Sequence, residues 1–234
     1  MSTLQTLDRG ARALFAVAAR PGGVTVAELA AELDVARAIS YRLVATLEEH
    51  GLLTRDSDGR VYLGASIPAL AARYWPSLLS MATPVLQELA DRTNATAYLS
   101  VAERDEAVAV LSLDPSMTSV LRIGYRIGSR HPLDRGAAGI AILSGRPPAP
   151  DDSAEVTAAR TQGYSITHGH LQPGAVGVAA PLRFAGARAG APEACVGIVA
   201  LEDFDAEAAG TLIVEAARRI GGGVPVPQDA RPGA

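Results

Sequence analysis

The chain of 234 residues contains no lysine: all 21 of its basic residues are arginines. Set beside the abundance of alanine, that absence reads as coding bias rather than mechanism. A single cysteine, Cys195, excludes an internal disulfide. No apolar run approaches the roughly 20 residues that cross a bilayer, because arginine, glutamate or proline interrupts each one, so no membrane partner is expected. The opening "MSTLQTLDRG" lacks a charged-then-apolar leader, and a reducing cytoplasm fits the composition. An excess of positive charge is also missing. The net charge of -4 argues against broad, nonspecific nucleic-acid binding, which needs a concentrated positive surface, although a local patch remains open. There are no internal repeats.

What is present begins with three helical segments. Leu7, Ala11, Leu14, Phe15 and Ala18 recur at helical spacing, with Asp8 placed to cap and "PGG" at Pro21 to Gly23 to stop. "TVAE" from Thr25 has the spacing of a capping box, in which the threonine hydroxyl and the Glu28 carboxylate each satisfy an exposed amide. Asp34 is placed to cap a third helix running to His50, and Gly51 supplies a left-handed terminator. On a helical wheel Ile39, Leu43 and Leu47 fall on the core side with Ala36, while Arg37, Tyr41, Ala45 and Glu48 fall opposite. "LLTRDSDGRVYLG" then reads as a hairpin with Arg55 and Arg60 near its tip. Three helices and a hairpin make a winged helix-turn-helix.

That module offers the start of its third helix to a DNA major groove while the other parts hold phosphates. The expected DNA-contacting residues are Thr25, Arg37, Ser40, Tyr41, Arg42, Arg55 and Arg60. The bland alternatives are a helical hairpin with a merely solvated face and a protein-interaction wing with no DNA partner. Met1 to Gly64 holds seven arginines against eight acids, so one copy would bind weakly. Pairing two copies on a palindromic double-stranded operator doubles the contacts, which makes a homodimer or tetramer the expected assembly.

Beyond Gly64 the pattern is helical to about Arg92, interrupted at Pro68, Pro76 and Pro84, each tolerable in a first turn but not mid-helix. Strand candidates follow: "TAYLSVA" and "AVAVLSL" around "ERDE", then "SVLRIGYRIG", "GYSIT", "GAVGVAAPLRF" and "CVGIVALE". Helices are expected at "GAAGIAILSG", at Ala154 to Gln162 and at Asp205 to Ile220, with "AGARAGAPEA" as a loose hairpin tip. The expected organisation is a DNA-binding domain over 1–64, a linker helix over 65–80, an α/β domain over 81–222 and a disordered tail over 223–234.

Two clusters invite chemistry. "HGH" sets His168 and His170 at a spacing a metal accepts, but a third ligand, Cys195 or His131, would have to arrive from far away. A metal-dependent sensor or enzyme using His168, His170 and Cys195 is therefore the secondary reading; no metal, cofactor or catalytic residue is assigned. In "PLDRGAAG" the small residues Gly136, Ala137, Ala138 and Gly139 open a helix whose amides favour an anionic ligand, and tight packing on a sheet would use the same residues equally well.

"TLDRGARALFAVA", the stretch from "TVAELAAELDVARAISYRLVATLEEHGLL" through the hairpin, "GSRHPLDRGAAGIAIL", "GAVGVAAPL" and "VGIVAL" together resemble the IclR family of bacterial transcriptional regulators, over roughly Thr6 to Ile220. The resemblance implies an α+β protein: a winged helix-turn-helix, a linker helix and a GAF-like effector-binding domain, assembled as dimers or tetramers and controlled by a small molecule. Tyr41 and Arg42 match the family pattern. Ala38 and Ile39 stand where the family commonly has a Ser-Thr pair, and Asp134 and Ile140 replace a histidine and a lysine of the effector motif. The family's effector contacts map onto Ala137 and Ala138, and more loosely onto Gly177, Val199 and Leu201, with Asp134, Arg135 and Gly136 at the lip and Arg135 as the one cation placed to steer a carboxylate. The reading implied is a regulator without enzymatic activity whose operator binding responds to a small organic effector.

Overall fold

A computed structural model describes residues 4–116, 123–184 and 192–223. The chain divides into two compact units, Met1–Pro76 and Ser77–Ala234. The first holds α1 (Gln5–Ala18), α2 (Val26–Glu32), α3 (Arg37–Glu49), β1 (Leu53–Arg55), β2 (Val61–Leu63) and α4 (Ser66–Ala71). Its core gathers Ala13, Val17, Val24, Leu29, Leu43, Val44, Leu53 and Val61. β1 and β2 pair antiparallel, and Val24 and Val61 exchange backbone hydrogen bonds of 3.0 and 2.8 Å, so the α1–α2 turn adds a third edge to the wing.

The capping box at Thr25 is formed in full. The Thr25 N–H and O–H both donate to Glu28 Oε2, at 2.7 and 2.8 Å, and Thr25 Oγ1 accepts from the Glu28 amide at 3.2 Å. Those two donors hold the Glu28 carboxyl below its usual range. Thr25→Ala is expected to destabilise this unit by about 1 kcal/mol in chemical denaturation. Because the folded Glu28 pKa is depressed, its contribution is present above the unfolded value and fades as pH falls through the folded one.

Two other expected caps are corrected. Asp8 lies inside the first turn of α1, whose N-cap is Leu4 with no side-chain bond. Asp34 has φ 52°, and the N-cap of α3 is Ala36, also without a side-chain bond. A left-handed Asp34 turns the chain sharply between α2 and α3, which leaves its carboxylate too early to cap. Gly51, at φ 66°, ends α3 as expected. The helical region past Gly64 is also broken differently: α5 (Pro76–Thr93) runs straight through Pro84. Proline there forfeits one backbone hydrogen bond, and burial of Leu78, Ala82, Val85, Leu86, Leu89 and Ala90 along one face outweighs it.

The second unit is a six-stranded antiparallel sheet in the order β5-β4-β3-β8-β7-β6, built from β3 (Thr96–Glu103), β4 (Glu106–Leu113), β5 (Arg130–Pro132), β6 (Ser165–His168), β7 (Ala175–Pro181) and β8 (Ala194–Leu201). α6 (Gly136–Gly145) packs on one face; α8 (Ala206–Gly223) packs on the other, over β7 and β8, beside α5. α7 (Ala154–Gln162) is capped by Ser153 and closed by Gly163 at φ 90°. Register places Tyr98 opposite Gly197 and Gly177 opposite Val199 on the α6 face. The expected strand over "SVLRIGYRIG" is corrected: residues 123–128 are not strand, and the strand in this region is the shorter β5. The rest of that expectation, the hairpin tip at 185–191 and the tail at 224–234 lie outside the described residues.

Candidate nucleic-acid interface and effector cleft

In the first unit the outward face of α3 carries Arg37, Tyr41 and Arg42, all exposed, with Tyr41 at 52%. Neither Arg37 nor Arg42 forms an ion pair among the described residues. The remaining expected contacts are engaged elsewhere. Ser40 is fully buried, and its hydroxyl donates to Val26 O at 3.2 Å, so it fastens α3 to α2 and does not face outward; this corrects its expected place at the DNA surface. Ile39, expected in the core, is 38% exposed, and Val44 is buried in its place. The Thr25 hydroxyl serves the cap. Arg60 donates to Gly22 O and Gly23 O at 2.9 and 3.0 Å, tying the hairpin to the α1–α2 turn. Arg55 Nη2 lies 3.1 Å from Glu48 Oε2, and its guanidinium carbon lies 5.7 Å from the centre of the Tyr41 ring. Of the four arginines expected at the DNA surface, folding engages Arg55 and Arg60 within the unit and leaves Arg37 and Arg42 of α3 without an ion pair among the described residues.

In the second unit an apolar cleft of about 80 Å³ opens between the sheet and the start of α6. Its walls include Ala137, Ala138, Gly177 and Val199 from the expected set, joined by Tyr98, Tyr125, His131, Thr167 and Leu171. The small residues have separable roles. A Cβ on Gly177 would sit 3.2 Å from the Ala137 Cβ, so glycine lets α6 approach β7. A Cβ on Gly197 would meet the Tyr98 ring, so glycine leaves that ring its berth. Asp134 and Arg135 are exposed and stand outside the walls, and Arg135 Nη2 donates to His170 O at 3.0 Å. Gly136, at φ 72°, makes room for the Leu171 side chain, and Leu201 lines a different hollow beside Thr96 and Phe204. No arginine reaches the cleft among the described residues.

The polar end of the cleft is phenolic. Tyr98 and Tyr125 stack with ring centres 4.2 Å apart and planes inclined by 24°. His131 Nδ1 lies 3.0 Å from Pro132 O, which can only accept, so Nδ1 carries a hydrogen and donates it, and the Tyr125 hydroxyl is in hydrogen-bond contact with Nε2 at 3.1 Å. Burial pushes the Tyr125 hydroxyl up to about 12 and Tyr98 well above the usual phenol range, so both are neutral donors at physiological pH. These tyrosines escaped the sequence reading because the cross-strand position that sets Tyr98 over Gly197 joins residues nearly a hundred positions apart; the scarcity of aromatics was the available hint.

The secondary, metal-centred reading loses its geometry. His168 is exposed, His170 pairs with Glu155 at 3.5 Å, and Cys195 is fully buried with Ala137, Ala141 and Ala179. Burial pushes the Cys195 thiol far up, which keeps it protonated and a poor nucleophile or ligand. Among the described residues no group of three or more His, Cys, Asp or Glu could hold a metal ion. Nor is any described helix long and apolar enough to cross a membrane.

Comparison with known proteins agrees with both units. Residues 6–57 match the IclR helix-turn-helix domain and residues 76–154 match the bacterial transcriptional regulator IclR C-terminal domain. An HTH-type transcriptional regulator of Mycobacterium tuberculosis is 31% identical over 62% of this chain and 56% of its own length. The acetate operon repressor of Salmonella typhimurium is 26% identical over 60% and 53%. The chain thus spans about half the length of the curated relatives it matches. Among solved structures, an IclR-type regulator from Alicyclobacillus acidocaldarius superposes with a TM-score of 0.74 at 22% identity, covering 94% of this chain and 98% of that one. An IclR homologue from Microbacterium hydrocarbonoxydans, complexed with 4-hydroxybenzoate, gives 0.73 at 22% identity, covering 92% and 97%. At that identity the superpositions speak for the fold: a helix-turn-helix unit followed by a half-barrel α/β unit. With both domain models matched in order over more than half of its residues, the chain belongs to the IclR family of bacterial transcriptional regulators.

Proposed function

We propose that this chain is a DNA-binding transcriptional regulator whose operator affinity is set by a small organic molecule held in the cleft under α6. The observation that carries the DNA half is the face of α3: Arg37, Tyr41 and Arg42 stand exposed, and both arginines keep their charge unpaired for phosphates or base edges. Two copies on a two-fold operator would supply the contacts that one near-neutral unit lacks. The linker role proposed for residues 65–80 falls to α4 and the first turn of α5, through which the chain passes from one unit to the next. Selection of duplexes from a random pool, followed by gel-shift titration against selected and scrambled DNA, tests this half. Arg37→Ala is expected to weaken binding to the selected duplex by about 1 to 3 kcal/mol and to relax its sequence preference. A pool that yields no enriched duplex ends the reading.

For the effector half, support comes from an apolar cleft with two neutral phenols at one end and the first-turn amides of α6 beside it, where no side chain caps the helix. That chemistry suits a small, mostly apolar molecule with one polar or anionic end. The 4-hydroxybenzoate bound by the Microbacterium homologue is a reasonable first probe. A ligand present at a hundred times its dissociation constant stabilises the folded unit by about 2.7 kcal/mol, so a thermal-shift panel of small phenols and acids will register a hit. Val199→Phe fills the cleft from β8 and is expected to abolish that shift while leaving DNA binding of the ligand-free protein intact. A panel hit that survives Val199→Phe would place the ligand elsewhere.

A further inference from the structure

Arg55 is the residue whose surroundings least fit the role of a phosphate contact. It ends β1, and its side chain runs back onto α3, where Tyr41 and Glu48 lie seven residues apart and share one face. The guanidinium bridges them, with Nη2 3.1 Å from the Glu48 carboxylate and its carbon 5.7 Å from the Tyr41 ring centre, inside the roughly 6 Å reach of a cation–π contact. Its Nε is buried without a hydrogen-bond partner. A side chain bound to scaffold at both ends has little freedom to reach for a phosphate, and the Glu48 carboxylate beside it cancels the charge that a phosphate would seek. The carboxylate also sits in the last turn of α3, where the helix dipole disfavours an anion and a neighbouring cation compensates.

We propose that Arg55 is a positioning residue for sequence recognition: anchored by Glu48, it holds the Tyr41 ring in one orientation on the face of α3 and does not itself touch DNA. The proposal rests on the reading of α3 as the recognition helix. Because a held aromatic ring loses less freedom on binding, removal of the guanidinium should act on discrimination between sequences. A phosphate contact would act on all duplexes alike and would contribute about one unit to the salt dependence of binding.

The test uses the full-length protein and the duplex it selects from a random pool, with Arg55→Gln, Glu48→Gln, Tyr41→Leu and the Arg55→Gln/Tyr41→Leu double variant. Arg55→Gln is expected to lower the ratio of selected to scrambled affinity about tenfold with no change in the slope of log affinity against log salt. Glu48→Gln should move the ratio the same way by less, and in the Tyr41→Leu background Arg55→Gln should change nothing further. A DNA-free measurement guards against misfolding: NMR signals of the Arg55 side chain should be shifted upfield by the Tyr41 ring in the parent and released in Tyr41→Leu. Equal loss on selected and scrambled duplex with a slope reduced by about one, or additive effects of Arg55→Gln and Tyr41→Leu, would make Arg55 a phosphate ligand and overturn the proposal. Absence of the ring shift in the parent would overturn it as well. A parent protein that selects no duplex at all would instead remove the DNA reading beneath it.

Discussion

Gly139→Ala is expected to destabilise the second unit by about 3 kcal/mol, a large cost for one methyl group. The ideal Cβ at this position would collide with Leu133 O and lie 2.7 Å from two further backbone atoms of Leu133, none of which can rotate away. α6 is pressed against the segment that leads into it, and only a bare Cα fits. For a unit of this size the cost corresponds to a fall of roughly 6 to 12 °C in melting temperature, seen by calorimetry of the ligand-free protein. Gly136→Ala supplies the contrast. There the obstacle is the tip of the Leu171 side chain, which can move, together with the strain of φ 72°, so a smaller loss of about 1 kcal/mol is expected. If Gly139→Ala melts with the parent, the close approach of α6 is not required.

That pair shows where sequence reasoning reached and where it stopped. "GAAG" is compatible with tight packing or with a ligand, and the fold separates its members: Gly139 packs against the Leu133 backbone, while Ala137 and Ala138 line the cleft. Features set by neighbours along the chain were legible. The Thr25–Glu28 box, the Gly51 terminator, the extent of α7 and the strands around "ERDE" each depend on a few adjacent residues. Features set by distant partners were not. A helical wheel centred on Leu43 puts Ile39 inside and Ser40 on the flank, and it cannot tell which of the two a neighbouring helix will cover. In the folded unit α2 crosses near Val26, covers Ser40 and gives its hydroxyl a carbonyl, leaving Ile39 at the surface. Arg55 and Arg60 looked like free charges at a hairpin tip; their partners, Glu48 and the Gly22 and Gly23 carbonyls, are brought up only when the wing closes.

On the proposed reading of two copies paired on a two-fold duplex, Phe15→Glu is expected to leave a monomer and to lower affinity for the selected duplex about a hundredfold or more. α1 exposes Leu4, Leu7 and Phe15 at 76%, 70% and 73%, in line with Ala11 and Ala18, while its opposite side is buried through Ala13, Ala16 and Val17. A helix that is apolar on both sides needs a second cover. A second copy of α1 laid antiparallel about Ala11 would set Leu4 against Ala18 and Leu7 against Phe15, large against small at the ends and apolar against apolar throughout. Burying the six large side chains of two such stripes contributes roughly 9 to 18 kcal/mol. Association itself costs on the order of 4 to 15 kcal/mol, so this contact alone is marginal and sensitive to any one of its members. A glutamate at position 15 removes two of the six and asks each copy to desolvate a carboxylate against leucine. Sedimentation at micromolar concentration reads the assembly, and gel shifts read the DNA. Because one unit carries as much acid as base, uncoupling the copies should cost far more on the two-fold duplex than on scrambled DNA. A dimer that survives Phe15→Glu would assign the pairing to another surface, and a monomer that still holds the duplex tightly would show that one copy of α3 suffices.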